Sequence, residues 1–268
     1  MNLGTNIAAQ SASMALAQTS AALARSLSQL SSGSRILNAS ELAMSMRFDA
    51  KIERANAAKD NVSSGLSYAS TQDGYLKRIA RTLDRMSELS MLSLDGTKSD
   101  ADRGLYNNEF VQLQDLIKEI ATKEFNGVSL FSAVDVESVI DSEGTTFTLD
   151  GIDLGASSTT YNNVTTSGTS ISSTTAATTA LNYIKTAIME LGKDRTEVSA
   201  NISRFNMASE TLDATIQTFS AASSAIKDLD VAKESTEYSK QNILSQATTA
   251  MLVQANQLPQ SVLRLLPN

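Results

Sequence analysis

The chain has 268 residues, of which 41% are hydrophobic but only 5% aromatic, and its net charge at pH 7 is −7. It contains no Cys, His or Trp, which excludes disulfides, cysteine metal sites and histidine acid–base chemistry. The acidic balance argues against a nucleic-acid partner, because such binding needs a basic stripe. We therefore expect no catalytic site, cofactor or metal, and the low aromatic content favours long helices packed through small residues.

The N-terminal segment, residues 1–38, is almost free of charge, since Arg25 is the only charged side chain between Met1 and Ser34. Its leucines recur every two helical turns and so form one stripe along a helix. The stripe consists of Leu16, Leu23, Leu30 and Leu37. The segment lacks a basic start and a long apolar run, so we expect no cleaved secretory signal and no membrane insertion.

Helical spacing continues through residues 39–132, where charged residues occupy the positions between the apolar ones. One apolar series runs from Leu76 to Met86 and another from Phe110 to Ile120. The second of these helices is expected to begin near Ser99, whose hydroxyl can cap its first turn, with Asp102 favourable for the helix dipole.

The helical pattern breaks over residues 133–177. The stretch TFTLDGIDLGA alternates apolar and polar residues around Asp150-Gly151 and predicts a β-hairpin that turns there. The Ser- and Thr-rich run that follows predicts an exposed connector. From residue 178 to 235 a coiled-coil stripe extends from Leu181 to Ile226.

The C-terminal segment, residues 236–268, mirrors the N-terminal one, because Arg264 is its only charge from Gln241 onward. Its sevenfold stripe consists of Leu244, Met251, Leu258 and Leu265. We therefore predict a mainly α protein. Its N- and C-terminal halves form a long antiparallel helical bundle or coiled coil, with a small β-hairpin region in the middle of the chain. Chargeless helices with one apolar stripe bury little surface alone, so we expect sister molecules to supply their burial site.

Three segments of the chain resemble bacterial flagellin: SLSQLSSGSRI (26–36), KEFNGVSLF (123–131) and the C-terminal stretch that ends ANQLPQSVLRLL (255–266). The resemblance implies a structural subunit that polymerises into the flagellar filament for motility, through coiled-coil packing of its terminal helices. Residues 1–38 and 236–268 would form the inner-tube domain, and residues 39–132 and 178–235 a helical rod. Residues 133–177 would supply a short hairpin and an exposed connector, as in a short form with a minimal variable region.

The same resemblance implies the partners. The subunit would bind copies of itself, the flagellar export apparatus, a flagellin export chaperone, and the hook-associated junction and cap proteins. It would be extracellular, exported by the type III route without a cleaved signal peptide. The two leucine and methionine stripes of the terminal segments would then be the inner-tube assembly residues.

The segment LDRMSEL (83–89) is similar to the flagellin helix that vertebrate innate immune receptors recognise and that also makes subunit contacts. The resemblance assigns that surface to Leu83, Arg85, Glu88, Leu89 and Glu109. Ser87 stands where many stimulatory flagellins carry a second arginine. The alternative interpretation is that the two leucines belong to the core or a subunit interface and that Arg85 is a surface charge.

The chain departs from the flagellin pattern after Arg35-Ile36, where it is about four residues shorter, or roughly one helical turn. This leaves open the geometry of the connector between the inner tube and the rod. Two other functions remain open at the level of sequence: a hook–filament junction protein, and a non-polymerising secreted coiled-coil binding module.

Overall fold

The computed structural model describes residues 6–155 and 159–264, with only the backbone described for residues 159 and 258–264. In chain order the elements are α1 (Ile7–Ser32), α2 (Ala39–Leu94), α3 (Asp100–Ala121), β1 (Glu124–Phe125), β2 (Val128–Ser129), β3 (Val136–Val139), β4 (Thr146–Leu149), α4 (Thr159–Thr165), α5 (Thr174–Lys227) and α6 (Val231–Arg264). The predicted fold class is confirmed: long helices from both halves of the chain flank short antiparallel strands.

The chain divides into two compact units. The terminal unit comprises Met1–Ala50 and Phe219–Asn268, and the central unit comprises Lys51–Thr218. The domain boundaries expected from the sequence, at residues 38/39 and 235/236, concern layers of an assembled filament. They stay a prediction.

In the terminal unit, α1 and α6 pair antiparallel. Near one end of the pair, the Asn6 side-chain amide donates to the Ala255 carbonyl at 2.7 Å. Near the other end, the Arg35 backbone N–H donates to the Lys227 carbonyl at 2.8 Å. The start of α1 therefore lies beside the C-terminal part of α6, as the antiparallel pairing of the two halves of the chain predicted.

The central unit has a continuous apolar core to which α2, α3, α5 and the intervening loops contribute. The predicted series from Leu76 to Met86 and from Phe110 to Ile120 supply much of it. The largest fully buried side chains are Phe110, Phe205, Leu76, Ile79, Leu83, Met86, Leu89, Ile117, Ile120, Leu130, Leu154 and Ile171. This unit thus buries large side chains within a single copy of the chain.

The predicted start of α3 is confirmed. The Ser99 hydroxyl accepts from the Asp102 backbone N–H at 3.2 Å, and the Asp102 carboxylate accepts from the Ser99 N–H at 3.0 Å. This reciprocal capping box satisfies two backbone donors of the first turn. Hydrogen bonds to Ser99 also lower the pKa of Asp102.

The predicted turn at Asp150-Gly151 is wrong. Strand β4 pairs with β3, so the turn lies before β4, where Gly144 has a φ of +88°. The Asp141 carboxylate accepts two backbone N–H groups of that turn at 2.8 and 2.9 Å. Gly151 serves a close approach instead, because a Cβ there would lie 2.5 Å from the Ser132 carbonyl oxygen.

A second hairpin, β1–β2, was not predicted although its signal is present in the sequence. Its two turn residues, Asn126 and Gly127, have φ values of +51° and +78°. Positive φ at both positions is the hallmark of a type I′ turn, and Asn-Gly is the preferred pair for it.

The Ser- and Thr-rich connector is not uniformly exposed, which corrects the sequence expectation. Tyr161, Val164 and Ile171 are at most 2% exposed, and the Gln114 amide donates to the Val164 carbonyl at 2.7 Å. The Thr165 hydroxyl donates to the Tyr161 carbonyl of its own helix at 3.1 Å. Hydroxyls that bond locally in this way allow a polar sequence to be buried.

Candidate assembly surfaces

Helices α1 and α6 pack closely, with Cα atoms within 8 Å of each other along the pair. A series of buried and half-buried residues, spaced alternately three and four apart, runs along each helix; we call these two series the seam. In α1 the seam consists of Ala9, Ala12, Leu16, Thr19, Leu23, Ser26 and Leu30, and in α6 of Tyr238, Gln241, Ser245, Thr248, Leu252 and Ala255. Small side chains at about every second position permit the close approach.

Two threonines of the seam bond their hydroxyl groups within their own helices. Thr248 is 5% exposed, and its Oγ1 donates to the Leu244 carbonyl at 2.9 Å. Thr19 likewise donates to the Ala15 carbonyl at 3.1 Å. These two hydroxyls therefore need no polar partner on the facing helix.

Large apolar side chains lie on the surfaces of α1 and α6 outside the seam. On α1 they are Ile7, Met14 and Leu27, and on the uncharged part of α6, from Gln241 onward, they are Ile243, Leu244, Met251 and Val253, each between 40% and 71% exposed. Arg25 is the only charged residue of α1, and α6 has none from Gln241 until Arg264. These residues form what we call the outer faces of the terminal pair, which are apolar and almost uncharged.

The structure separates the residues expected to drive assembly. Leu16, Leu23 and Leu30 are half-buried in the seam, and Leu37 is half-buried just after α1. Helix α6 therefore covers part of the α1 stripe within one chain, and the expectation that sister molecules complete its burial stays a prediction.

On α6 the expected stripe lies outside the seam. Leu244 and Met251 are 40% and 56% exposed, while the Leu258 side chain and all of Leu265 lie outside the described residues. The seam of α6 consists mainly of small and polar residues, so a search for apolar residues could not find it. A three-four pattern of Ala, Ser and Thr would have been the signal.

The connector that the sequence left open is hydrogen-bonded within the terminal unit. The Leu229 N–H donates to the Gly33 carbonyl at 3.3 Å, and Gly33 ends α1 in the left-handed region with φ +69°. Asn38 and Glu41 exchange two hydrogen bonds, at 3.0 and 2.9 Å, at the start of α2. The connector thus passes directly from one capped helix to the next.

The residues of the expected receptor surface fall into two groups. Leu83 and Leu89 are at most 1% exposed and belong to the core of the central unit. Arg85 is exposed and binds both carboxylate oxygens of Glu109, at 2.7 and 3.1 Å, and Glu88 at 2.7 Å. These bonds, that to Glu109 first, raise the pKa of Arg85 and lower that of Glu109. Only the charged trio is accessible on the folded chain.

Within residues 6–155 and 159–264, no helix combines the length and hydropathy that crossing a bilayer requires. The same ranges contain no group of three or more acidic residues placed to share a metal ion.

Comparison with known proteins places the chain in a family. Residues 3–135 match the bacterial flagellin N-terminal helical region, and residues 181–266 match the bacterial flagellin C-terminal helical region. A flagellin of Halalkalibacterium halodurans is 34% identical over 252 residues, covering 90% of this chain and 91% of that protein. The flagellar filament 30.7 kDa core protein of Treponema maltophilum is 32% identical over 259 residues, covering 90% of each.

Among solved structures, Bacillus cereus flagellin is similar, with a TM-score of 0.51 and 28% sequence identity. The similarity covers 57% of this chain and 88% of that one. The two matched family regions and the two flagellar relatives extend over most of the chain and come close to both of its ends. The chain belongs to the bacterial flagellin family.

Proposed function

We propose that the chain is a structural subunit of the bacterial flagellar filament, and that it polymerises through the outer faces of α1 and α6. One observation carries the proposal. Among the described residues of the terminal unit, Ala255 is the only hydrophobic residue that is buried, whereas seven large apolar side chains on α1 and on α6 from Gln241 onward are exposed. The printed names of the relatives, flagellin and flagellar filament core protein, support the same role.

The energetics favour association with further copies of the same chain. Burying one Leu, Ile or Met side chain contributes about 1.5–3 kcal/mol, so several such side chains together can offset the loss of translational and rotational freedom. Identical neighbours would repel each other if the outer faces were charged, and these faces contain almost no charge.

The exposed side chains point in more than one direction. Relative to the seam, Met14 and Ile243 lie on the far side of their helices, whereas Leu244 and Met251 lie beside the seam. A subunit with apolar surface on several sides can contact several neighbours, and repetition of unlike contacts builds an open helical polymer.

Membership of the family supports several finer proposals. The subunit functions outside the cell and is exported by the flagellar type III route, with the help of an export chaperone. In the filament it adjoins the hook-associated junction and cap proteins. Recognition by a vertebrate innate receptor involves Arg85, Glu88 and Glu109, because Leu83 and Leu89 are inaccessible. Activation of receptor-expressing cells that is unchanged by Arg85→Ala would refute that role for Arg85.

Seeded polymerisation tests the assembly role. Monomer is incubated with short filament fragments and the pelleted fraction is measured by sedimentation. We expect the wild type to pellet, and the double variant Leu244→Lys/Met251→Lys to stay in solution. The matched control is Met189→Lys/Met207→Lys, whose residues in the central unit are 69% and 67% exposed; it should still pellet.

The test also separates the alternatives. A wild-type protein that remains in solution despite seeding would be a non-polymerising binding module. A protein that caps seeds without extending them would fit a junction protein. Pelleting of the double variant to the same extent as wild type would show that these α6 residues do not carry assembly.

A further inference from the structure

The methionines of this chain are distributed unusually. The chain has nine, and eight lie in the described residues. Met86 is fully buried, but the other seven are 46–69% exposed: Met14, Met44, Met46, Met91, Met189, Met207 and Met251. Methionine is normally among the more buried residue types, so exposure of seven out of eight requires an explanation.

The composition makes these side chains the principal oxidisable groups of the protein. Cys, Trp and His are absent, and the thioether is therefore the softest nucleophile available to a peroxide. The sulfur attacks one peroxide oxygen and the O–O bond breaks. An S–O bond forms as the sulfur loses two electrons, and the second oxygen leaves as water. The product is methionine sulfoxide, a polar group that methionine sulfoxide reductases can convert back.

We propose that the four exposed methionines in the described part of the terminal unit, Met14, Met44, Met46 and Met251, form a peroxide-sensitive modification site that controls whether a free subunit can assemble. The inference rests on the proposed function. The apolar thioethers of Met14 and Met251 lie on the almost uncharged outer faces and favour contact with a sister subunit, whereas a sulfoxide dipole buried there without a hydrogen-bond partner disfavours it. Met44 and Met46 are exposed on α2 of the same unit.

Position along the helices supports this assignment. Met251 lies on the same stripe of α6 as Leu244, and Met14 lies on the same stripe of α1 as Ile7. All four residues are in helices, so oxidation changes the polarity of the side chain without requiring a change of backbone. Once the subunit is in a filament, its neighbours cover these sulfurs, and the filament resists the oxidant that inactivates free subunits.

The experiment treats the full-length monomer with graded hydrogen peroxide and maps the 16 Da additions that mark sulfoxide by peptide mass spectrometry. Seeded polymerisation is then measured for each dose. We expect sulfoxide at the exposed methionines but not at Met86, and a rise of at least about tenfold in the critical concentration for assembly. Reduction by the two sulfoxide reductases should restore assembly. In preformed filaments, the four terminal-unit methionines should react at least about tenfold more slowly than in the monomer.

Two matched variants locate the effect. Substitution of all four terminal-unit methionines by Leu preserves volume and helix propensity, and should make assembly insensitive to peroxide. Substitution of Met91, Met189 and Met207 by Leu should leave the wild-type sensitivity unchanged.

Several results would overturn the inference. These are unchanged assembly of fully oxidised wild type, equal sensitivity of the fourfold variant, loss of assembly only at doses that also oxidise Met86, and equal reaction rates in monomer and filament. Failure of the untreated protein to polymerise would instead refute the filament role, and the proposed control with it.

Discussion

The terminal and central units are both built from long helices with apolar residues at three-four spacing, yet they bury very different side chains. The central unit encloses Phe110 and Phe205 completely, whereas the described buried residues of the terminal unit are Ala255 and hydroxyl residues such as Ser26 and Thr248. The central unit thus has a core sufficient for one chain. The terminal unit forms a close but thin contact and leaves its larger apolar side chains on the surface, which is the arrangement a polymerising element needs.

The largest expected effect tests whether the central core carries the stability of the monomer. Phe205 packs edge-on against Phe147, with ring centroids 5.4 Å apart. We expect Phe205→Ala to lower the free energy of unfolding by about 3–5 kcal/mol. The matched change in the seam, Leu23→Ala, should cost only about 1–2 kcal/mol, because this side chain is half-exposed already. Chemical denaturation of the monomer measures both, and equal losses would remove the distinction between the units.

Two glycines of α2 sharpen the account of the central core. A Cβ on Gly65 would lie 2.6 Å from the Phe205 ring, whereas one on Gly74 would meet nothing within 4 Å. We expect Gly65→Ala to lower the free energy of unfolding by about 1–3 kcal/mol, because the added methyl group overpacks the core. Gly74→Ala should stabilise by about 0.5–1 kcal/mol because alanine favours the helix. Thermal unfolding of both variants provides the comparison, and stabilisation by both would mean that the ring moves aside freely.

The third prediction concerns the close approach of α1 and α6. Ser26 is 5% exposed in the seam, and Ser26→Leu should force the helices apart at a cost of about 1–3 kcal/mol. The control is Ser28→Leu on the exposed side of the same helix, which should change stability by less than about 0.5 kcal/mol. Hydrogen exchange of the α1 and α6 amides reports the terminal unit specifically. If the α1 and α6 amides were equally protected from exchange in the two variants, a small residue would not be required at position 26 of the seam.

The smallest expected effect is on the pH dependence of stability. A carboxylate in each unit causes it, and its sign is opposite in the two units. In the terminal unit, a hydrogen bond from Lys227 is the main cause that lowers the pKa of Asp49. In the central unit, burial raises the pKa of Asp194, which accepts a 2.6 Å hydrogen bond from the Tyr161 hydroxyl. A lowered folded-state pKa gives stability that is lost as the pH falls through it. A raised pKa gives stability that is lost as the pH rises through it.

We therefore expect the advantage of wild type over Asp49→Asn to disappear as the pH is lowered below about 4, near the ordinary pKa of Asp. Relative to Asp194→Asn, wild type should instead gain stability as the pH is lowered from 7 toward 4. Melting temperatures of wild type and both variants, measured across this pH range, test the two expectations. If the difference from wild type changes with pH in the same direction for both variants, the two carboxylates do not have opposite effects on stability.

Most of the helical architecture could be predicted because its signals are local. The Ser99 cap and the apolar series through Leu76 and Phe110 depend on residues within a few turns of one another, and all were found where expected. The Asp150-Gly151 turn was predicted wrongly because a glycine can serve either a turn or a close approach. Only the position of the Ser132 carbonyl distinguishes the two uses.

The candidate assembly surfaces were predicted in part. The apolar stripe of α1 is easily recognised, since Leu16, Leu23 and Leu30 stand out among Ala and Ser. The corresponding side of α6 was not recognised, because Ser245 and Thr248 carry no hydropathy signal and pack through shape alone. The stripe of Leu244 and Met251 was expected to take part in assembly between subunits; both side chains are exposed on α6, and their role in assembly stays a prediction.

By itself the sequence determined the helical periodicity, the small set of caps and the absence of charge at both ends, since each of these follows from residue type and spacing. Only the tertiary structure decided which face of α6 meets α1 and which large side chains remain in water. The physical reason is that close helix packing selects small residues at much of the contact, so larger apolar side chains of α6 such as Leu244 and Met251 are left on the surface.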